Sequence, residues 1–183
     1  RLARLRVRKR GLVGGARHAH RLGGDPDAAT LEIGQGDAIP LALGAEASFV
    51  ARTLDRDPKH PQVVIKRAAE HRGTSFVEVY QNCNVFNDGA FDLLREKQQG
   101  THNQIRLEDG NPIVFDEGNR CVSVGENGRL VITETASTPD DAVVVHDAQG
   151  RPSLAFALAH LSRGPNEPTC IGVFREVERP VYG

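Results

Sequence analysis

The sequence predicts an α/β protein with a small additional antiparallel layer. A helical pattern, PQVVIKRAAEHR (61–72), is followed by Gly73 and by the short apolar strand SFVEVY (75–80). This order of helix, glycine turn and strand is typical of a mostly parallel sheet flanked by helices. Two turn signals, Asp109-Gly110 and Asn127-Gly128, each lie between apolar segments and predict antiparallel hairpins.

Composition favours a globular domain and excludes some classes of function. The chain has 183 residues, of which 39% are hydrophobic and 26% charged, with a net charge of -1. A nearly neutral chain gives no general support for nucleic-acid binding. No apolar run approaches the roughly 20 residues that cross a bilayer, so we expect no membrane partner. Without a recognisable leader, we expect a cytoplasmic protein.

The first 36 residues differ from the rest. Residues 1–21 contain eight Lys/Arg and no Asp/Glu, and residues 1–36 show no sustained hydrophobic period. We interpret residues 1–36 as a disordered or non-native segment, with a nucleic-acid-binding arm as the less favoured alternative. We expect the ordered domain to cover residues 37–183. Because the chain begins with Arg1 and contains no methionine, we interpret it as a fragment.

The helices and strands of the ordered part follow from the apolar spacing. Helical spacing predicts one amphipathic helix over residues 40–55, ended by Asp57-Pro58. After the strand 75–80, a helix capped by Asn87 or Asp88 is expected to run to about Lys97. Further expected elements are the hairpins in IRLEDGNPIVF (105–115) and CVSVGENGRLVI (121–132), a buried strand AVVVH (142–146), a helix at 152–161 and a last strand CIGVF (170–174).

Cys83 is the residue with the clearest functional placement. It lies just beyond the strand 75–80, between Asn82 and Asn84, and functional groups of parallel sheets gather beyond the carboxyl ends of strands. Residue chemistry alone leaves three readings: a metal ligand, a reactive thiol or a buried hydrophobe. Cys121 and Cys170 fall within apolar strand patterns and are predicted to be core residues. With three cysteines and no Cys-x-x-Cys, no metal site is complete within this chain.

Other candidate motifs are weaker. Gly34-x-Gly36-Asp37 lacks the spacing of a dinucleotide or phosphate loop. His18-x-His20 has no partner ligands. His146 and Asp147 end the expected strand 142–146 at a functional location, but a capping or solvated pair is favoured over catalysis there, and their role stays open.

From about Leu41 to the end, the sequence resembles the beta subunit of 2-oxoacid:ferredoxin oxidoreductases, most closely the 2-oxoglutarate type. The segments LALGAEASFVAR (41–52), SFVEVYQNCNVFNDGAFD (75–92), PSLAFALA (152–159) and IGVFREVERPVY (171–182) carry the resemblance. It implies the carboxyl-terminal half of the α/β domain that binds thiamine diphosphate. It also implies oxidative decarboxylation of a 2-oxoacid with coenzyme A, with an alpha subunit as partner and ferredoxin as electron acceptor.

The resemblance implies thiamine diphosphate, Mg²⁺ and a [4Fe-4S] cluster as cofactors, and it makes Cys83 a cluster ligand. Asn82 and Asn84 then become candidate cofactor-binding residues that donate hydrogen bonds to the sulfur. The family's Gly-Asp-Gly turn and Cys-x-x-Cys are absent, since only Gly36-Asp37-Ala38 precedes Leu41. We therefore expect the isolated chain neither to bind thiamine diphosphate nor to build the cluster. The alternative is a free-standing, non-catalytic module that binds a partner or senses oxidants through Cys83.

Overall fold

The computed structural model describes residues 6–9, 30–33, 38–82, 84–85, 88–89, 91–95, 99–161 and 167–179. Within these ranges, the helices are α1 (Ala38–Gly44), α2 (Lys59–Glu70), α3 (Asp92–Arg95), α4 (Gln99–Asn103) and α5 (Pro152–Ala159). The strands are β1 (Arg6–Lys9), β2 (Thr30–Ile33), β3 (Phe49–Leu54), β4 (Ser75–Tyr80), β5 (Gln104–Leu107), β6 (Val114–Phe115), β7 (Arg120–Val124), β8 (Leu130–Glu134) and β9 (Thr169–Glu176).

A four-stranded sheet in the order β4-β3-β9-β5 forms the centre of the domain. The pairs β3–β4 and β5–β9 are parallel, whereas β3 and β9 are antiparallel. A separate antiparallel sheet has the order β6-β7-β8, and β1 pairs with β2 in parallel. The predicted α/β class, with a mostly parallel sheet flanked by helices and a small antiparallel layer, is therefore confirmed.

The main core lies where α1 and α5 meet the four-stranded sheet and the small antiparallel sheet. Ile39 and Leu43 of α1, Val50 of β3, Leu158 of α5 and Phe174 of β9 are all less than 5% exposed and belong to one apolar cluster. A smaller cluster joins Phe49 and Ala51, on the other face of β3, to Val64 of α2. Alternate residues of β3 thus face two different cores, as the two-residue period of a strand requires.

The predicted helix over residues 40–55 is wrong. Helix α1 ends at Gly44, and Glu46 adopts a left-handed backbone with φ of 61° before β3 begins at Phe49. All six residues of β3 are buried, because β4 and β9 flank the strand and cores cover both its faces. The helical spacing of apolar residues in this stretch reflects burial on every side, which a single period does not distinguish from a helix.

Two other predicted elements, the hairpin at Asp109-Gly110 and the buried strand at 142–146, are also wrong. The Asp109-Gly110 turn does not form a hairpin, because β5 pairs with β9 in the main sheet while β6 pairs with β7. The stretch AVVVH is not a regular strand; it follows a short 3₁₀ helix at Asp140–Ala142 and makes only isolated bridges, such as Ser123 with Val143. The Asn127-Gly128 hairpin between β7 and β8 is confirmed.

The remaining predicted elements agree in position. Strand β4 has the predicted bounds, α2 and α5 match two predicted helices within two residues, and β9 contains the predicted last strand. For the helix expected up to Lys97, the structure describes α3 and leaves residues 86–87, 90 and 96–98 outside the described residues. The boundary predicted at residue 36 also stays a prediction, because 34–37 lie outside the described residues. No helix among the described residues is long and apolar enough to cross a membrane.

Candidate functional site

The candidate site lies at the carboxyl ends of β3 and β4. These strands are parallel neighbours joined through α2, and Leu54 at the end of β3 is in register with Tyr80 at the end of β4. We call residues 81–90, which follow Tyr80, the strand-end loop. The structure describes residues 81, 82, 84, 85, 88 and 89 of it, and Cys83 lies outside the described residues.

Asn82 organises the described part of the strand-end loop. Its side-chain Nδ2 donates to Asn84 Oδ1 at 2.8 Å and to Asp88 Oδ1 at 2.9 Å. Its Oδ1 accepts a hydrogen bond from the Gly89 backbone N–H at 2.9 Å, and its own backbone N–H donates to Asp55 Oδ2 at 3.4 Å. Both amide hydrogens of Asn82 are therefore donated to residues of the loop that follow position 83.

An aromatic pair closes the base of the same loop. The rings of Tyr80, which ends β4, and Phe91, which follows the loop, are stacked with centroids 4.3 Å apart and an interplanar angle of 19°. Phe91 and Leu94 are buried against Leu54 and Ile171, with Tyr80 packed on this cluster. The cluster ties both ends of the strand-end loop to the main sheet, so the loop leaves the sheet in a defined direction.

A buried charge lies beneath this aromatic pair. Arg52 in β3 pairs with Glu78 in β4, with Nε and Oε2 2.6 Å apart, and Arg52 Cζ lies 4.8 Å from the centroid of the Tyr80 ring. Arg52 was not among the residues predicted to be functional. The available signal was a charged residue inside the apolar stretch FVARTL, a stretch that was predicted to be part of a helix.

The other two cysteines are core residues, as predicted. Cys121 is 0% and Cys170 1% exposed, in β7 and β9 respectively. Burial raises the pKa of the Cys170 thiol to about 12, opposed weakly by the charge of Arg52. A thiol with such a pKa keeps its proton near neutral pH and is a poor metal ligand.

The number and the burial of the cysteines show whether this chain by itself could hold an iron–sulfur cluster. A [4Fe-4S] cluster is held by about four thiolates. The chain has three cysteines, two of which are buried in separate strands, and the described residues contain no group of three His, Cys, Asp or Glu side chains that could hold a metal. The residues present do not fit a complete cluster; Cys83 is the one thiol whose position in the sequence suits a ligand.

His146 and Asp147 are not brought together into a reactive pair. His146 is buried, and its Nε2 donates to the Val173 carbonyl oxygen at 2.7 Å. Burial lowers the pKa of His146, and this effect outweighs the Val173 hydrogen bond and the charges of Asp109 and Asp147. The exposed Asp147 accepts a hydrogen bond from the Gln149 backbone N–H at 3.0 Å. The buried His146 is thus not part of a solvated strand-end pair, whereas the exposed Asp147 bonds its own turn.

A cavity of about 480 Å³ lies between α2, β5 and β9. Its two arginines, Arg67 and Arg106, are already in ion pairs with Glu176 and Asp57. His60, at the cavity wall, lies with Nδ1 2.7 Å from Thr53 Oγ1, and burial, followed by the charge of Arg106, lowers its pKa. Because these polar groups are engaged with one another, we place the candidate site at the strand ends instead.

The fold and the strand-end loop define an α/β chain whose sequence has a cysteine three residues after the end of a parallel strand. Comparison with known proteins shows its relatives. The chain is 43% identical over 145 residues to 2-oxoglutarate oxidoreductase subunit KorB of Mycobacterium tuberculosis, a match that covers 79% of this chain and 39% of that protein. It is also 40% identical over 50 residues to the 2-oxoacid:ferredoxin oxidoreductase beta subunit of Saccharolobus solfataricus, covering 27% of this chain and 16% of that protein. The same identity and coverage hold for the beta subunit of a Sulfolobus species.

The resemblance of the chain to 2-oxoacid:ferredoxin oxidoreductase beta subunits, which its sequence indicates, is thus confirmed. The chain spans about two fifths of the length of the Mycobacterium relative, since the match covers 39% of that protein. No protein-family model matches the chain. No solved structure matches it either.

Proposed function

We propose that this chain is part of the beta subunit of a 2-oxoglutarate:ferredoxin oxidoreductase. The complete enzyme would convert a 2-oxoacid and coenzyme A to an acyl-CoA and CO₂, passing two electrons to ferredoxin. The 43% identity to a 2-oxoglutarate oxidoreductase subunit supports this reaction and favours it over a free-standing module or thiol sensor. The alpha subunit, ferredoxin and coenzyme A are the proposed partners and substrates.

The single observation that carries the proposal is the construction of the strand-end loop. Asn82, which precedes position 83, is hydrogen-bonded to Asn84, Asp88 and Gly89, which follow it, and Tyr80 and Phe91 stack at the base of the loop. A ligand on a loop must be held in a fixed geometry by its surroundings to bind a metal well. We propose that Cys83 is a thiolate ligand of a [4Fe-4S] cluster whose remaining ligands lie outside this chain.

We infer different roles for the two asparagines from their hydrogen bonds. Because both Nδ2 hydrogens of Asn82 have acceptors within the loop, we assign Asn82 to positioning the loop. Asn84 uses its Oδ1 to accept from Asn82, so its Nδ2 is the donor that we assign to the sulfur of Cys83. Hydrogen bonds to a ligating sulfur shift the reduction potential of a cluster.

Thiamine diphosphate and Mg²⁺ are proposed cofactors of the complete enzyme. Thiamine diphosphate supplies the carbanion chemistry needed for decarboxylation. The described residues offer no group of three metal-ligating side chains, and Gly36-Asp37 lies outside them. We therefore expect no thiamine diphosphate binding by this chain alone, and calorimetry that detected such binding would contradict this.

The test of function uses the complete complex of alpha and beta subunits, prepared without oxygen. We expect reduction of a viologen dye that depends on both 2-oxoglutarate and coenzyme A. Cys83→Ser should abolish this reduction and the visible absorbance of the cluster. The matched control Cys121→Ser changes a buried cysteine of the small sheet and should retain both. Retention of cluster and activity by Cys83→Ser would disprove the ligand role, and absence of reduction with every 2-oxoacid tried would disprove the proposed reaction.

A further inference from the structure

Arg52 is an unusually buried cation. It is 2% exposed in β3, a strand that is flanked by β4 and β9. A buried guanidinium is costly unless it is paired and hydrogen-bonded. Its Nε pairs with Glu78 Oε2 at 2.6 Å, and its Nη1 lies 3.5 Å from the Cys170 carbonyl oxygen. Within the part of the chain that the structure describes, Nη2 has no hydrogen-bond partner.

The guanidinium also makes two contacts with aromatic rings. Its Cζ lies 4.8 Å from the Tyr80 centroid and 5.5 Å from the Phe174 centroid, both within the range of cation–π attraction. Tyr80 in turn stacks on Phe91 at 4.3 Å. Arg52, Tyr80 and Phe91 therefore form a continuous stack from the centre of the sheet to the residue that follows the strand-end loop.

The stack lies where it can restrain the strand-end loop. Glu78 holds the guanidinium through Nε, so the guanidinium restrains the plane of the Tyr80 ring. Tyr80 precedes the strand-end loop and Phe91 follows it, so their contact joins the two ends of the loop. The Asn82 hydrogen bonds depend on this closure, because Gly89 and Asp88 reach Asn82 from the far end of the loop.

We propose that Arg52 is a positioning residue for the strand-end loop, acting through Tyr80 and Phe91. This deepens the proposed function, since the loop carries Cys83. Nη2 carries two further N–H groups, for which acceptors from outside the described residues are expected, because an unsatisfied buried donor on a charged group is costly. Arg52 thus links the loop geometry to the centre of the sheet.

The test is hydrogen exchange of the complete chain, with no cofactor present. The backbone N–H groups of Asn82 and Gly89 bond Asp55 and Asn82, so they report the closed loop. The N–H groups of Val122 and Val144, bonded to Ile113 and Val122, serve as references in the antiparallel region. In Arg52→Met we expect exchange at the loop amides to accelerate, relative to the wild type, about tenfold more than exchange at the reference amides. This difference corresponds to about 1.4 kcal/mol in the free energy of local opening.

Two further variants separate positioning from general destabilisation. Arg52→Lys keeps the charge but loses the flat guanidinium. Exchange at the loop amides should therefore be slower than in Arg52→Met but faster than in the wild type. Arg120→Met is a matched control, since Arg120 also pairs with a carboxylate, Asp116, at 2.8 Å and also lies over a ring, 4.7 Å from Phe115. Arg120→Met should leave the exchange rates of the loop amides unchanged. Equal acceleration at loop and reference amides in Arg52→Met would overturn the proposal.

Phe91→Leu keeps the proposal testable if Arg52→Met does not fold. It breaks the stack at its other end and should accelerate exchange at Asn82 and Gly89 alone; no acceleration there would also overturn the proposal. Adding Arg52→Lys to Phe91→Leu should not accelerate exchange at the loop amides further, because the stack is already broken. If the double variant instead showed the product of the two single accelerations, Arg52 would act independently of Phe91. Since the exchange needs neither cluster nor substrate, failure of the proposed reaction would leave this result interpretable.

Discussion

Arg52 and Glu78 form an ion pair across adjacent parallel strands, with Nε and Oε2 2.6 Å apart and the two side chains 2% and 16% exposed. The pair lies two residues before Tyr80, so it connects the middle of the sheet to the strand end where the candidate site lies. Removing one partner of a buried pair leaves the other charge without compensation, which is more costly than removing both.

Glu78→Ala should therefore destabilise the protein strongly. We expect the free energy of unfolding to fall by about 3 kcal/mol, the usual consequence of leaving one buried charge unpaired. The measurement is urea denaturation followed by circular dichroism. Glu70→Ala is the control: its pair with Lys66 has side chains 65% and 74% exposed and should contribute less than about 0.5 kcal/mol. Equal effects of the two substitutions would show that the Arg52 charge finds other compensation.

Gly172→Ala should destabilise the main sheet. Gly172 in β9 has φ of 130°, and a Cβ there would lie 2.8 Å from the Leu107 carbonyl oxygen in β5. We expect a loss of at least about 2 kcal/mol, from the strained backbone and the clash together. Gly44→Ala at the end of α1 meets no atom within 4 Å and should be neutral or slightly stabilising. Thermal unfolding of both variants checks this, and an unchanged melting temperature for Gly172→Ala would contradict it.

Stability should fall as the solution becomes acidic, in part because of His146. Burial lowers the pKa of His146 below its usual 6.5, so the unfolded chain takes up this proton at a higher pH than the folded chain. The stability is therefore complete above about pH 6.5 and decreases as the pH falls from there towards the lowered folded pKa. Protonation would place a charge on Nδ1, which has no partner among the described residues.

The measurement is the free energy of unfolding between pH 8 and pH 5 for the wild type and His146→Gln. We expect the variant to be less stable at pH 8 but to show a weaker dependence on pH. His60, whose pKa is also lowered by burial, should account for part of the dependence that remains. An identical slope in the two proteins would show that His146 does not contribute.

Asn82→Ala should loosen the strand-end loop more than Asn84→Ala does. Asn82 makes three side-chain hydrogen bonds inside the loop, and Asn84 shares only one of these. In the complete chain without cofactors, Cys83 of the Asn82 variant should react with a thiol reagent about threefold faster, the effect of losing roughly 0.7 kcal/mol of hydrogen bonding. Equal rates in the two variants would mean that Asn82 does not hold the loop.

Local patterns in the sequence were sufficient for several elements. The strand SFVEVY and the helix before it were predicted because β-branched and aromatic residues, a clear helical period and Gly73 agree with one another there. The Asn127-Gly128 hairpin followed from a turn type that only a few residues adopt. The position of Cys83 in the sequence, shortly after a predicted strand, was also readable, and the comparisons confirm the resemblance that the surrounding segment helped to carry.

Tertiary packing decided what these patterns left ambiguous. Leu43, Ala47, Val50 and Leu54 have helical spacing, yet β3 is a strand because neighbours pack on both its faces and both its edges. Strand β5, which precedes the Asp109-Gly110 turn, pairs with β9, a partner more than 60 residues away, which no local signal specifies. Likewise, Arg52 is buried beneath Tyr80 only because β3 and β4 pair in this register. The sequence alone determined the class of fold and the cysteine at a strand end, since both depend on local order. The charge beneath the loop and the contacts that close it depend on residues distant in the chain, and only the folded structure brings these together.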